Sequence, residues 1–257
     1  MLFDVFHNRI IIIGELLTVT PLHIGAGVNS LEVGVADNQV VKDYLGRPYI
    51  PGSSLKGVLR AFTESIVRAL AETGIKGGEL WACDVLDKKH NCVHDVKKSS
   101  DEEEIYNRHC SVCKVFGSTQ LAGKFQVKDL TVTEDGWDNW YESRNGVSID
   151  RDSGTAAIGL LYESEVVPAD TLFELEIVLE NLSPRDKFIA AIGLKALLQG
   201  ELTLGGMTSR GLGRVRLIKA RVKKVNQHNL VDYLAGKEIP ELELARVLEQ
   251  WLQEVLD

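Results

Sequence analysis

Stripped of its polar interruptions, the chain runs strand, helix, strand, strand, helix, strand, and this order constrains the fold more than any single motif. Residues 9–19 are rich in β-branched and aliphatic side chains and read as a strand closed by Pro21. From Ser54 the apolar positions Leu55, Val58, Leu59, Phe62, Ile66 and Leu70 recur at three and four, which predicts an amphipathic helix to about Ala71, capped by Ser53 or Ser54. Strand patterns return at residues 125–133 and 172–179, where Phe173, Leu175, Ile177 and Leu179 alternate with polar partners. A second helix is punctuated by Ser183 as N-cap, Pro184 at its first position and Gly200 just past its end. Residues 212–222 supply the last strand, and the apolar series Leu242, Leu244, Val247, Leu248, Trp251, Leu252 and Val255 predicts a C-terminal helix within residues 240–257. The expectation is an α+β, ferredoxin-like (RRM-like) core built from residues 9–72 and 124–222, the whole chain of 257 residues forming one elaborated domain.

Two stretches interrupt that core. Residues 74–123 lack sustained periodicity but hold all four cysteines, three histidines and the acidic run Asp101-Glu102-Glu103-Glu104, so they read as an insertion. Residues 137–163 are polar and glycine-containing and read as a projecting arm, while residues 33–42 suggest a short hairpin.

With 44% apolar and 26% charged residues the chain can bury a proper core. Its longest early apolar run, Ile10-Ile11-Ile12-Ile13, is broken by Gly14 and Glu15, far short of the ~20 residues of a membrane span, and no signal-peptide pattern precedes it. A cytoplasmic protein without a membrane partner is expected. The net charge of −8 argues against indiscriminate binding of nucleic acid, yet residues 210–224 hold seven basic side chains and no acid. That strip is either a confined polyanion site or a solvated strand face.

Two glycine-hinged segments carry the candidate binding chemistry. In Pro51-Gly52-Ser53-Ser54-Leu55-Lys56-Gly57-Val58-Leu59-Arg60, the unpaired N–H groups of a helix start at Gly52, Ser53 and Ser54 can approach a phosphate, with Lys56 and Arg60 neutralising it from the next turn. A plain turn followed by a solvated helix face is the alternative. In the second segment, residues 205–214, Gly205, Gly206, Gly211 and Gly213 allow close backbone approach, and Ser209 and Arg210 add a hydroxyl and a guanidinium. The spacing fits neither a dinucleotide fingerprint nor a Walker loop, and a plain tight loop is the alternative. The two hinges are expected to converge on one ribose-phosphate track.

Cys83, Cys92, Cys110 and Cys113 need not form disulfides in a cytoplasmic chain, and Cys110-Ser111-Val112-Cys113 has zinc-knuckle spacing. Structural zinc is the economical reading, with His90, His94 or His109 available in place of a cysteine. Asp37 precedes the basic helix, where a carboxylate can orient a hydroxyl or hold a divalent cation, although Asp-Asn pairs also serve simply as turns. His23 is either a catalytic group or a packed ring.

In combination, Leu22-His23-Ile24-Gly25, Asp37 ahead of Val40-Val41-Lys42-Asp43, the run from Tyr49 to Gly57 with Arg60, and the loop at 205–214 resemble the RAMP superfamily of CRISPR-associated proteins, and within it the backbone subunits of type III effector complexes. The resemblance spans about residues 9–222. It implies subunits stacked along a guide RNA, each with a ferredoxin-like palm, a hairpin thumb within residues 137–163 (Val147 to Tyr162 here) and a zinc-bearing lid at residues 74–123. Lys56, Arg60 and the glycine-rich loop would grip the guide, and Asp37 would act with Mg or Mn to cleave complementary target RNA by attack of a 2′-hydroxyl on the adjacent phosphate. Other subunits of the complex are the implied partners. A non-catalytic scaffold of the same assembly is the alternative. A guide-processing nuclease would need an acid–base pair, for which His228 has no evident partner, and a lone RNA-binding module would need a base-stacking strand motif that is absent.

Overall fold

The computed structural model describes residues 3–27, 36–73, 80–87, 89, 91–96 and 101–254. Its elements, in chain order, are β1 (Asn8–Thr18), β2 (Tyr49–Ile50), α1 (Gly52–Thr73), α2 (Cys92–Val96), α3 (Glu102–Arg108), α4 (Ser111–Phe116), β3 (Phe125–Val127), β4 (Leu130–Thr131), β5 (Glu142–Ile149), β6 (Ala156–Val166), β7 (Leu172–Glu180), α5 (Pro184–Gln199), β8 (Val215–Asn226), α6 (Leu230–Leu234), β9 (Glu241–Glu243) and α7 (Leu244–Gln253). A 3₁₀ turn, Thr208–Arg210, sits in the glycine loop.

The main sheet is antiparallel with order β3-β7-β1-β8-β9. β1 lies at its centre because alternation sends Ile10, Ile12 and Leu16 to the helix-covered face, where they are at most 3% exposed. The opposite face carries Ile11, Ile13, Glu15 and Leu17, all half-buried. Helices α1 and α5 pack on one another through Gly193, where a Cβ would stand 3.2 Å from the Leu59 carbonyl oxygen. The α5 punctuation is as expected: Ser183 and Asp186 form a reciprocal capping box, and Gly200 closes the helix in the left-handed conformation with φ of 72°.

Several boundaries differ from the sequence reading. The first helix starts at Gly52, so Ser53 and Ser54 lie inside its first turn; the cap is the distant Asp129, whose Oδ1 accepts the Gly52 N–H at 2.7 Å. Residues 125–133 form two strands in different sheets, β3 pairing with β7 and β4 with β2, because the chain turns at Lys128 and Asp129. Leu242 belongs to β9, which pairs with β8 as a fifth strand, so the C-terminal helix begins at Leu244. The last long strand starts at Val215 and runs to Asn226. The expected arm is a two-stranded hairpin, β5 with β6. Residues 33–35 of the expected hairpin at 33–42 lie outside the described residues; the rest forms the isolated bridges Gly25↔Val40, Asn38↔Ser164 and Lys42↔Pro48.

The insertion docks as a lobe of short helices. Its α4 is fixed to the core by Phe116 stacked on Phe125, ring centroids 4.9 Å apart. Behind that stack Lys124 and Asp186 form an ion pair at 2.7 Å, with side chains 4% and 5% exposed.

Candidate functional site

The lower end of β6 organises one site. The segment after the glycine-broken loop lies alongside it: the Glu165 N–H donates to the Asn38 carbonyl at 2.9 Å, and the Asn38 N–H donates to the Glu163 carbonyl at 3.2 Å. The Asp37 carboxylate accepts the Glu163 N–H through Oδ2 at 2.9 Å. Asp37 itself is exposed, and among the described residues its Oδ1 takes no hydrogen bond or ion pair. Glu165 uses both carboxylate oxygens to hold the next residues, accepting from the Val40 N–H at 3.1 Å and the Lys42 ammonium at 2.7 Å. His23, 8% exposed, binds the Glu165 carbonyl through Nδ1 at 2.7 Å. A carbonyl only accepts, so the contact places a proton on Nδ1.

The glycine loop closes over the same end. Gly206 donates its N–H to the His23 carbonyl and Gly213 to that of Pro21, each at 2.8 Å. A Cβ on Gly205 would overlap the His23 carbonyl, and one on Gly213 would overlap the Leu204 carbonyl, so these two glycines answer to the chain's own backbone. Gly211, by contrast, has open space where a Cβ would stand, and Ser209 and Arg210 are exposed. The Arg210 guanidinium donates to the Tyr162 hydroxyl on β6, joining loop to hairpin.

The other hinge makes no direct polar contact with this loop: among the described residues no hydrogen bond or ion pair connects residues 51–60 with residues 205–213, so the expected convergence on one track has no direct contact behind it. Gly52 is buried, its N–H taken by Asp129, and a Cβ there would overlap the Val127 carbonyl; its N–H is therefore not the open phosphate donor that its sequence suggests. Ser53 and Gly57 are exposed and Ser54 is half-buried. Lys56 is half-buried without a carboxylate partner among the described residues, and burial, with Arg60 nearby, pushes its ammonium below the usual lysine range. Arg60 turns toward the insertion, donating to Glu64 at 2.8 Å, to the Gly117 carbonyl at 3.0 Å and to Cys113 Sγ at 3.2 Å.

The basic strip of residues 210–224 is divided by strand alternation. Arg216, Lys219 and Arg221 are exposed, Lys219 pairs with Glu15 at 3.0 Å and Lys223 with Glu241 at 3.2 Å. Lys224 pairs in register with the buried Ile10, on the helix side. Among the described residues, two of the seven basic side chains are thus paired with carboxylates within the fold.

The four cysteines come together. Cys83, Cys92, Cys110 and Cys113 are buried, are not disulfide-bonded, and have all their sulfur atoms within 4.8 Å of one another. Tetrahedral zinc with ~2.3 Å bonds needs sulfur–sulfur edges of about 3.8 Å; the Cys83–Cys113 edge is already 3.7 Å. The donor set fits a structural zinc with no open position. Cys110 begins α4; hydrogen bonds from Cys113 and Cys92 hold its thiol below the usual range, and the same contacts push the Cys92 and Cys113 thiols up. His109 stays out of the cluster, both ring nitrogens being used by the Ile105 carbonyl and the Ser118 hydroxyl at 2.6 and 2.8 Å. His94 is exposed, and His90 lies outside the described residues.

Glu163, Ser164, Glu165, Tyr162 and Asn38 were not singled out by sequence. Tyr162 and Glu163 carry only the polar character of the arm, which marks a solvated hairpin equally well, and Asn38 only its place in an Asp-Asn turn pair.

These elements set an antiparallel α+β sheet protein beside a hairpin, an exposed carboxylate and a cysteine centre. A family model described as the RAMP superfamily matches residues 15–216. The chain belongs to the RAMP superfamily. It is also similar to curated proteins named "CRISPR system Cms endoribonuclease Csm3". The relative from Methanocaldococcus jannaschii is 28% identical over 96% of this chain and 94% of its own length. That from Methanothermobacter thermautotrophicus is 27% identical over 90% and 91%, and that from Mycobacterium tuberculosis 30% identical over 84% and 89%.

Proposed function

We propose that this chain is a guide-RNA-binding backbone subunit of a type III CRISPR effector complex and cleaves complementary target RNA at Asp37. The names of its relatives support the class. One observation carries the site: an exposed carboxylate with one oxygen uncommitted stands at the foot of the β5–β6 hairpin, beside the loop that bears Arg210.

In this reading the main sheet with α1 and α5 is a ferredoxin-like palm, supported by the order β3-β7-β1-β8 with one helix between β1 and β3 and the other between β7 and β8. The hairpin is the thumb and residues 74–123 are the zinc-bearing lid. Lys56, Ser53, Ser54 and the outward residues Gly206, Ser209, Arg210 and Gly211 contact the guide backbone. Base pairing selects the target while the protein reads shape and phosphate. Asp37 Oδ1 orients the attacking 2′-hydroxyl or takes its proton. A hydrated Mg or Mn ion fits a lone carboxylate, since such ions keep most of their waters, and when bound it supplies charge compensation at the phosphate.

The partners are guide RNA, target RNA and further subunits of the assembly. None of the described helices is long and apolar enough to cross a membrane. The deciding experiment assembles the complex with Asp37→Asn and follows target cutting beside guide retention. Loss of cutting with the guide retained supports the nuclease; unchanged cutting leaves a scaffold and removes Asp37 from the chemistry.

A further inference from the structure

On α1, Arg60, Glu64 and Arg68 follow one another at spacings of four and so share one face of the helix. That face meets the cysteine lobe. Arg60 donates to Cys113 Sγ at 3.2 Å and to the Gly117 carbonyl at 3.0 Å, while Arg68 donates to the Cys83 carbonyl at 2.6 Å. Glu64, 8% exposed, lies between them, with Oε1 2.8 Å from Arg60 and Oε2 3.6 Å from Arg68. Two cysteines thirty positions apart in sequence are therefore each tied by a guanidinium to the same helix.

With the sulfurs bound to a metal as thiolates, the Arg60 guanidinium gains a second charged partner beside Glu64. A neutral thiol is a weak acceptor and a poor partner for a half-buried guanidinium, whereas a thiolate accepts a charge-assisted bond. Four thiolates on one dication carry two net negative charges, and two arginines with one glutamate return one positive charge on the side facing α1. Glu64 also fixes the direction of the Arg60 fork, leaving its two terminal nitrogens for sulfur and carbonyl.

We propose that Arg60, Glu64 and Arg68 are the outer shell of the tetracysteine metal centre, and that Arg60 serves the metal and not the guide. The assignment to the metal stands on the cysteine geometry alone; its exclusion of Arg60 from RNA contact rests on the guide-binding reading above and leaves Ser53, Ser54 and Lys56 as the α1 contribution. These are positioning residues. They hold Cys113 and Cys83 against α1 and keep the sulfur charge compensated.

The test uses the full-length, zinc-loaded chain and follows zinc transfer to the chromophoric chelator 4-(2-pyridylazo)resorcinol, with guide affinity measured separately in the assembled complex. Removing an outer-shell partner of a metal site loosens the metal by about 10- to 100-fold, so Arg60→Ala and Arg68→Ala should speed zinc release by that order. Arg60→Lys should fall between them and wild type, because an ammonium keeps the charge but loses the planar fork. Lys56→Ala should release zinc at the wild-type rate, and zinc-saturated Arg60→Ala should bind guide as wild type does. Should Arg60→Ala not fold, Arg60→Lys and Glu64→Gln give the same readout. Wild-type release rates in these variants, or a loss of guide affinity with release unchanged, overturn the proposal. A wild-type complex that holds no guide defeats the RNA reading and leaves the release rates to judge the outer shell.

Discussion

The Asp37 carboxylate accepts the backbone N–H of Glu163 at 2.9 Å, across 126 positions of sequence. One oxygen is thereby fixed to the hairpin and the other faces outward. The contact gives the site its geometry: the acid is aimed from the base of the hairpin, so hairpin order and carboxylate position are one property.

Asn at position 37 keeps an oxygen to accept the Glu163 N–H but removes the charge, whereas Ala removes both. Target cutting should fall about 10²- to 10⁴-fold in either variant, the range for a lost general base. Only Asp37→Ala should raise hydrogen exchange at the Glu163 amide. Single-turnover cleavage and exchange mass spectrometry separate the two effects.

Substitution by alanine sorts the glycines by what they serve. Gly213 has φ of 83° and no room for a Cβ, so Gly213→Ala combines backbone strain with a clash and should destabilise by more than about 3 kcal/mol. Gly211, with φ of 89° and open space, incurs only the strain of the left-handed conformation, about 1–2 kcal/mol. Gly57, inside α1 with nothing near, should gain about 0.5–1 kcal/mol as alanine. Denaturant midpoints of the free chain check all three.

Lys124 and Asp186 bury opposite charges between the insertion and the start of α5, and Asp186 also accepts the Ser183 N–H at 3.0 Å. Lys124→Met strands a carboxylate in the interior, which costs about 3–5 kcal/mol. Thermal unfolding should show the loss, and with about 2–4 °C per kcal/mol for a chain of this size it is easily measured.

The elements with strong local signals were legible in the chain. Ser183, Pro184 and Gly200 bounded α5 because capping and left-handed closure are local events, and the alternation at Phe173 to Leu179 marked β7. The cysteine cluster was also legible, since soft ligands carry their chemistry in their identity. What local pattern could not supply was any pairing across distance. Asp129 as cap of α1, Glu165 as the clamp on residues 40–42, and the turn of Arg60 toward Cys113 depend on which segments the fold brings together. For the same reason the two glycine hinges looked alike in sequence, yet Gly52 and Gly205 each answer to a different carbonyl of the same chain.

The cysteine centre should bind about one zinc per chain, as four soft ligands in a closed tetrahedral site do. Cys110→Ser should abolish that stoichiometry, since it removes a ligand that all three other sulfurs approach within 4.8 Å. His109→Ala should leave it unchanged, because both ring nitrogens are already held by Ile105 and Ser118. Stripping the metal with a chelator removes the link among α2, α4 and the segment around Cys83, while β1, β7 and β8 keep their own core. Hydrogen exchange should then show lost protection across residues 101–118 with the central sheet still protected. Protection lost equally in β1 would mean that the centre supports the whole fold, and metal-free protein with an unchanged lobe would mean that the thiols pack as ordinary apolar groups.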